Sequence, residues 1–218
     1  MSDVKSGQGR RRYGSAVREE GARRTRRAIV LAAGELFAAR GYRAASLGEV
    51  AAAAGVARPT VTAAFGSKPA LLQEVLNEAL AGDDEPVRVA DRPWFRPVWE
   101  SRTHQEVLTA YAQVCTLIGR RAARLLEVVR RAADTSPEVA DLWGSTQRNR
   151  RDGARMVVDH LRKLGPVEGW QGHERAVDAL WFFNDPAHYD TLVLQCHWQE
   201  GDFTAWLAAR MQEALLNG

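Results

Sequence analysis

The sequence predicts an all-α protein. Ala, Leu, Arg and Glu, which are good helix formers, dominate its 218 residues. Runs of alternating β-branched and polar residues, which are typical of strands, are almost absent. Apolar residues instead recur three or four positions apart, and glycine, proline or a capping residue separates the segments that show this period. A chain of this length can bury one substantial core, or can attach a small domain to a larger one.

Charge is distributed unevenly along the chain. Residues 1–70 contain 13 Lys and Arg against 5 Asp and Glu, a net charge of +8, whereas residues 71–218 carry −5. A basic domain is expected to face a polyanion such as nucleic acid. The longest stretch without a charged residue, 107–119, has 13 residues and is too short to span a membrane. No apolar segment follows the basic N-terminus, so no secretory signal is predicted, and we expect a cytoplasmic protein with no membrane partner.

The N-terminal third begins with a segment that shows no apolar period. Residues 1–22 are rich in Gly, Ser and Arg, which predicts a disordered basic arm. A first helix is expected at 25–40, with Ile29, Ala33 and Phe37 on one apolar stripe. Gly41 is expected to end it.

Two short helices joined by a tight turn are predicted at 46–68, in the sequence SLGEVAAAAGVARPTVTAAFGSK. Ser46 can cap the first helix, and Glu49 three positions later completes a capping box. Gly55 can end this helix, and Pro59 suits the first turn of the second. The pair forms a helix-turn-helix, whose second helix can lie in a DNA major groove.

At these residues the chain resembles the TetR family of transcriptional regulators. The similarity begins near Thr25 with a first helix that ends in LFAARGY, continues through GEVAAAAGV and closes with FGSKPALL. It implies a three-helix helix-turn-helix domain at 23–70, joined through a fourth helix to a helical-bundle domain for ligand sensing and dimerisation at 71–218. It also implies a homodimeric regulator of double-stranded DNA, usually a repressor that leaves a palindromic operator when a small-molecule effector binds.

The candidate DNA-binding residues carry a hydroxyl or a positive charge around the turn motif: Arg23, Arg24, Thr25, Ser46, Arg58, Thr60, Thr62 and Lys68. Arg58 begins the recognition helix and can donate a bidentate pair to guanine. Thr60 and Ser46 have hydroxyls suited to phosphates, and Lys68 adds charge at the start of the fourth helix.

Three positions depart from the family pattern. Thr62 stands where Tyr is usual, Ala57 where Ser or a similar cap is common, and Gly48 where a longer polar side chain is frequent. Two interpretations therefore stay open: a DNA-binding repressor, or an interaction protein that keeps the fold with weakened or lost DNA binding.

The C-terminal part is predicted to form a bundle. Long amphipathic helices are expected at 103–133 and 137–164, and shorter ones at 173–183, at 186–199 and after Asp202. Aromatic and polar residues among them are candidates for a pocket that binds an apolar or aromatic effector, or else fill the core: Trp94, Trp99, Tyr111, Cys115, Trp143, Met156, His160 and Phe182. The candidate dimer interface, which alternatively belongs to one subunit's core, comprises Ala176, Leu180, Phe183, Tyr189, Leu192, Val193 and Cys196.

Catalysis is not predicted. The chain has no phosphate-binding glycine loop, no paired metal-ligand spacing and no nucleophile flanked by recognisable partners. The five histidines are scattered, and Cys196 and His197 point about 100° apart on a helix. Neither a cofactor nor a metal site is expected, and Cys115 and Cys196 lack the spacing of a disulfide framework.

Overall fold

The fold is described from a computed structural model, which describes residues 6–166 and 172–216. The described residues form helices, turns and loops and contain no strand, so the all-α prediction is confirmed. Contacts divide the chain into two compact units, the N-terminal unit Met1–Val75 and the C-terminal unit Leu76–Gly218. The division lies within the fourth helix, a few residues beyond the predicted boundary at 70/71.

Four helices begin the chain: α1 (Ser6–Ala44), α2 (Leu47–Ala53), α3 (Arg58–Phe65) and α4 (Lys68–Ala81). The backbone of α1 leaves the helical region at Gly41, with φ 77° and ψ 167°, as the sequence predicts. The core of the N-terminal unit is made of apolar residues from all four helices, including Ile29, Ala33, Phe37, Val50, Val61, Leu71 and Leu72.

Helix α1 begins well before the predicted start. Its backbone is helical from Ser6, whereas residues 1–22 were expected to be a disordered arm, and residues 1–5 lie outside the described residues. Extending an existing helix adds one hydrogen bond per residue and needs no new nucleus. The helix packed at Ile29 and Phe37 can therefore continue through a polar segment that shows no apolar period of its own.

The turn motif has the predicted local geometry. Ser46 Oγ accepts a hydrogen bond from the Glu49 amide at 3.2 Å, and the Ser46 amide donates to Glu49 Oε2 at 2.8 Å, which is a complete capping box. Gly55 follows α2 with φ 68°, a conformation that favours glycine. Because these features fix the end of α2 and the turn, they also fix where α3 begins.

The C-terminal unit contains six further α-helices in its described part: α5 (Arg96–Glu100), α6 (His104–Ala133), α7 (Pro137–Lys163), α8 (His173–Phe183), α9 (Pro186–Tyr189) and α10 (Glu200–Leu216). Two short 3-10 helices, Val89–Asp91 and Pro93–Phe95, precede them. Helix α6 packs against α5, α7, α9 and α10, and α8 packs against α7 and α10. His104 Nε2 lies 3.1 Å from the Leu161 carbonyl oxygen, which places the start of α6 beside the end of α7. The two long helices are therefore antiparallel, as expected.

The predicted helix at 186–199 is wrong in its second half. Helix α9 ends at Tyr189 and continues as a π-helical turn, Asp190–Gln195, in which the Cys196 amide donates to the Thr191 carbonyl at 2.9 Å. His197 then adopts φ 59°. The β-branched Thr191 and Val193 crowd a regular helix, which helps to explain why the apolar period does not continue as one.

The loop after α4 is organised by a buried arginine. The Arg92 side chain is 4% exposed, and its Nη1 lies 2.5 Å from both carboxylate oxygens of Asp83. Its remaining nitrogens donate to the carbonyls of Glu85, at 2.8 Å, and Val87, at 3.1 Å. One side chain thus satisfies several backbone groups of a segment that has little regular structure.

Within the part of the chain that the structure covers, no helix is both long and apolar enough to cross a bilayer.

Candidate nucleic-acid interface

Helix α3 presents most of its surface to solvent. Of its eight residues only Val61 is buried, while Arg58, Pro59, Thr60, Thr62, Ala63 and Ala64 are exposed. The cap residue Ala57 makes no side-chain hydrogen bond, as expected for a residue that replaces a Ser cap. The structure thus places the predicted Arg58 and Thr60 on one exposed helix, at its N-terminal end.

Thr62 and Ser46 are exposed but already form local hydrogen bonds. Thr62 Oγ1 donates to the Arg58 carbonyl at 3.4 Å, one helical turn earlier. Ser46 Oγ accepts from the Glu49 amide, so its hydroxyl hydrogen is the group left to donate to a phosphate. Both residues therefore have less capacity for DNA than exposure alone suggests.

The remaining predicted DNA-binding residues lie on α1 and at the start of α4. Arg23 and Arg24 are exposed on α1, and Thr25 is half-buried. Lys68 is half-buried at the start of α4, with Nζ 4.3 Å from the ring centroid of Tyr42. Burial lowers the pKa of Lys68, and the Glu49 carboxylate opposes this shift. Lys68 thus packs on Tyr42.

Arg26 is a residue at this site that the sequence did not single out. Its Nη1 donates to the Ala64 carbonyl at 3.0 Å, its Nη2 pairs with Glu74 Oε1 at 2.7 Å, and its guanidinium carbon lies 4.3 Å from the Phe65 ring centroid. The contacts join α1 to the C-terminal end of α3 and to α4. The partners are 38 or more residues away in sequence, so no local spacing could have indicated them.

Four of the predicted effector residues come together in the C-terminal unit. Phe95 stacks on Trp99 at 4.9 Å and lies 6.2 Å from both Trp94 and Tyr111, measured between ring centroids. Trp99 meets the His160 ring edge-on at 5.3 Å. The central ring, Phe95, was not among the predicted residues. We define Trp94, Phe95, Trp99, Tyr111 and His160 as the aromatic cluster.

His160 is the one polar member of the aromatic cluster whose buried nitrogen is unpaired. Its Nε2 is inaccessible to solvent and has no hydrogen-bond partner among the described residues. Burial and the nearby charge of Lys163 lower the pKa of His160 below its usual 6.5. The ring is therefore neutral near pH 7, and its buried Nε2 forms no hydrogen bond with the described residues.

Tyr111 and Cys115 belong to a buried polar network. Asn184 Nδ2 donates to Tyr111 Oη at 2.9 Å, and Asn184 Oδ1 accepts from Arg150 Nη2 at 3.0 Å. Arg150 also pairs with Asp185 at 3.1 Å. Burial raises the pKa of Cys115 to about 12 and also raises the pKa of Tyr111. Both groups are thus neutral, and the Tyr111 hydroxyl is occupied in holding α6 to the segment after α8.

Two predicted effector residues lie at the surface. Met156 is 41% exposed and Phe182 is 60% exposed, so neither fills the core of a single chain, and their role in effector binding stays a prediction. Trp143 is half-buried on α7. Helical period alone could not place these side chains, because it does not say which face meets a neighbouring helix.

The predicted dimer interface divides into core and surface residues. Ala176, Leu180 and Tyr189 are at most 7% exposed within a single chain, so they belong to its own core, and their assignment to an interface is corrected. Those that retain exposure are Phe183, Leu192 and Val193, which are partly buried, and Cys196, which is exposed.

The exposed apolar surface near these residues is aromatic. The Phe182 ring lies 5.0 Å from His188, and Trp206 lies 6.3 Å from His188 and 6.1 Å from Trp198. Phe182 and Trp198 are the most exposed members, at 60% and 38%. We define Phe182, His188, Trp198 and Trp206 as the aromatic patch.

Comparison with known proteins gives a family match for the N-terminal domain and a similar fold for most of the chain. Residues 29–75 match the family model described as bacterial regulatory proteins, tetR family. No curated protein shows significant sequence similarity to the chain.

Solved structures resemble the chain over most of its length. A putative TetR-family transcriptional regulator from Mesorhizobium loti is 17% identical with a TM-score of 0.66, and covers 88% of this chain and 96% of its own. The fatty acid degradation regulator FadR from Bacillus halodurans is 17% identical with a TM-score of 0.65, over 87% and 94%. NalD from Pseudomonas aeruginosa, the secondary repressor of the MexAB-OprM multidrug efflux pump, is 22% identical with a TM-score of 0.64, over 90% and 98%. Residues 29–75 thus match the N-terminal domain of the tetR family of bacterial regulatory proteins, and the fold of the chain is similar to that of solved TetR-family regulators.

Proposed function

We propose that this protein is a transcriptional repressor that binds a palindromic DNA operator as a homodimer and releases it when a small apolar or aromatic effector binds. The exposed face of α3 carries this proposal. It presents Arg58 and Thr60 at the N-terminal end of a helix that buries only Val61. A helix with this exposure can enter the major groove, where an arginine reads guanine through O6 and N7.

Charge supports DNA as the partner. Residues 1–70 carry a net charge of +8. The exposed Arg23 and Arg24 add cationic groups on α1, and phosphate contacts from such residues supply affinity that does not depend on sequence. Sequence preference then depends on Arg58, because Ala63 and Ala64 offer only apolar contacts to thymine methyl groups.

Operator recognition requires two copies of the chain. A single helix-turn-helix reads few base pairs, whereas selecting a specific site requires roughly 4–10 kcal/mol of discrimination over bulk DNA. A two-fold dimer presents two α3 helices to the two halves of a palindrome. The similar fold of NalD, a repressor, supports the same mode of action.

The aromatic cluster is the proposed effector site. Its members come from the segment before α6 and from α6 and α7, and His160 supplies an unpaired buried nitrogen among the described residues. A mostly apolar ligand with one hydrogen-bonding group suits this chemistry. To change DNA affinity, such a ligand must bind the DNA-free arrangement more tightly than the DNA-bound one.

Footprinting on DNA upstream of the protein's own gene, at two salt concentrations, tests the proposal. We expect a protected palindrome and an affinity that falls steeply as salt rises. Replacing Arg58 with Ala removes a bidentate base contact worth about 1–3 kcal/mol, so specific affinity should fall by roughly tenfold or more while non-specific binding remains. Arg148→Ala, at an exposed arginine of α7, is the matched control and should leave the footprint unchanged.

One observation favours the alternative of an interaction protein without DNA binding. Thr62, at the position where Tyr is usual in the family, donates its hydroxyl to the Arg58 carbonyl, and the next two residues are alanines. The middle of α3 thus has few side-chain groups that could form hydrogen bonds with bases or phosphates. Absence of any protection at low salt would refute the repressor and favour this alternative.

A further inference from the structure

Helix α3 has few internal restraints for a recognition helix. It contains eight residues, buries the side chain of Val61 and has no side-chain cap at Ala57. A helix of two turns is not stable by itself, so its orientation depends on contacts with its neighbours. Base readout needs that orientation to be fixed, since bidentate hydrogen bonds require a defined approach to the base edge.

Arg26 holds the C-terminal end of α3 through three contacts. Nη1 donates to the Ala64 carbonyl, one of the last four carbonyls of α3, which lack partners within the helix. The guanidinium lies over the Phe65 ring, the last residue of α3. Its positive charge is also favourable beside the negative end of the α3 dipole. The end of α3 is thus held by a side chain of α1.

Glu74 of α4 orients the arginine. It accepts from Nη2 at 2.7 Å while Nη1 contacts Ala64, so the two ends of the guanidinium fork bind two different helices. The planar guanidinium can make these hydrogen bonds and stack on an aromatic ring at once, whereas a lysine ammonium has neither the fork nor the plane. Exposed ion pairs contribute little free energy, and this pair is 41% and 30% exposed. Its main effect is therefore on geometry.

We propose that Arg26 is a positioning residue for sequence-specific DNA binding: through Ala64, Phe65 and Glu74 it sets the orientation of α3. The inference rests on the proposed function. It distinguishes Arg26 from its exposed neighbours Arg24 and Arg27, which belong to the same basic stretch.

Two substitutions distinguish an arginine that orients α3 from one that contacts a DNA phosphate. Arg26→Lys keeps the positive charge but loses the planar guanidinium that binds two helices. It should lower specific operator affinity roughly tenfold and leave the salt dependence of DNA binding unchanged. Glu74→Gln removes a negative charge, which by electrostatics alone would strengthen DNA binding, and it leaves Arg26 a neutral acceptor whose hydrogen bond is roughly half as strong. If Arg26 positions α3, Glu74→Gln should weaken specific binding instead. Arg27→Lys, at an exposed neighbour, is the matched control and should change neither quantity.

Hydrogen exchange without DNA gives an independent readout. Amides at the end of α3, including Gly66, which donates to the Thr62 carbonyl at 2.8 Å, should exchange faster in Arg26→Lys and Glu74→Gln than in Arg27→Lys. Normal operator affinity and unchanged exchange in Arg26→Lys would overturn the inference. Stronger operator binding by Glu74→Gln would also overturn the inference, because it would mean that Arg26 contacts a DNA phosphate. If the unmodified protein binds no operator, the proposed function fails, and the exchange data alone decide whether Arg26 holds α3.

Discussion

Ser46 is the residue that starts the turn motif, and its substitution has a defined cost. Ser46→Ala removes the hydrogen bond from Oγ to the Glu49 amide and should lower the free energy of unfolding by about 1 kcal/mol, measured by urea denaturation. Ser136→Ala is the control, because Ser136 precedes α7 without a side-chain hydrogen bond that caps that helix. Equal urea midpoints for Ser46→Ala and the unmodified protein would show that the cap contributes nothing.

Glu49 should titrate far below the usual range of a carboxyl group. A hydrogen bond from Arg40 and two from Ser46 lower the pKa of Glu49 to about 2. Since the pKa is lower in the folded state, this contribution to stability is complete above about pH 4.5 and is lost as the pH falls toward 2. A carboxyl-detected NMR titration measures the pKa directly, and Arg40→Ala should raise it. A Glu49 midpoint near 4.5 in the unmodified protein would contradict the arrangement.

Residues that act over short sequence distances could be predicted, and those that act over long distances could not. The capping box was predictable because Ser46 and Glu49 are three positions apart. The contacts of Arg26 and Arg150 with other helices gave no such signal, because those partners lie 31 or more residues away. An arginine in a basic stretch and an arginine in a polar helical turn look alike in sequence whether they face solvent or another helix.

At the scale of elements, the contact between α6 and α9 depends on a glycine. A Cβ at Gly119 would lie 2.6 Å from Tyr189 Cγ, so Gly119→Ala forces the two helices apart and should cost about 1–3 kcal/mol. Gly153→Ala is the matched control on α7, where a Cβ meets no atom within 4 Å. It should stabilise the protein by about 0.5–1 kcal/mol, since alanine favours helix.

Thermal and urea unfolding of the two glycine variants measure this difference. Similar destabilisation of both variants would mean that the close approach of Tyr189 to α6 does not exist in solution.

The predictable elements were those with clear start and stop signals, such as α7 between Pro137 and Gly165. The π-helical turn Asp190–Gln195 was not predictable from the spacing of apolar residues. It begins beside contacts between residues distant in sequence, such as that between Tyr189 and Phe203, at 5.5 Å between ring centroids.

For the whole molecule, the sequence indicated which surfaces carry charge but not which apolar residues remain exposed. The basic N-terminal part was evident from composition. By contrast, Leu180 and Phe182 are neighbours of the same apolar helix, yet one is fully buried and the other is 60% exposed. Their packing depends on α10 and α7, which lie beside α8 only in the folded chain. Substitutions in the aromatic patch therefore test dimerisation better than substitutions at the residues that apolar periodicity predicted for the interface.

The aromatic patch leads to a prediction about assembly. Phe182 and Trp198 expose large apolar surfaces that a second copy would cover, and a buried charge there would lack a partner. We therefore expect Phe182→Glu combined with Trp198→Glu to shift the proposed homodimer toward monomer in sedimentation equilibrium. Operator affinity should fall with it, because two α3 helices are then no longer delivered together.

Val87→Glu is the control for this experiment, since Val87 is 43% exposed in the loop after α4 and outside the aromatic patch. It adds a charge to an exposed apolar side chain of the same unit and should leave the dimer intact. Far-UV circular dichroism checks that each variant remains folded, because Phe182 and Trp198 also contact aromatic rings of their own chain. A double variant that stays dimeric would place the interface elsewhere, and a monomeric unmodified protein would refute the two-fold operator complex itself.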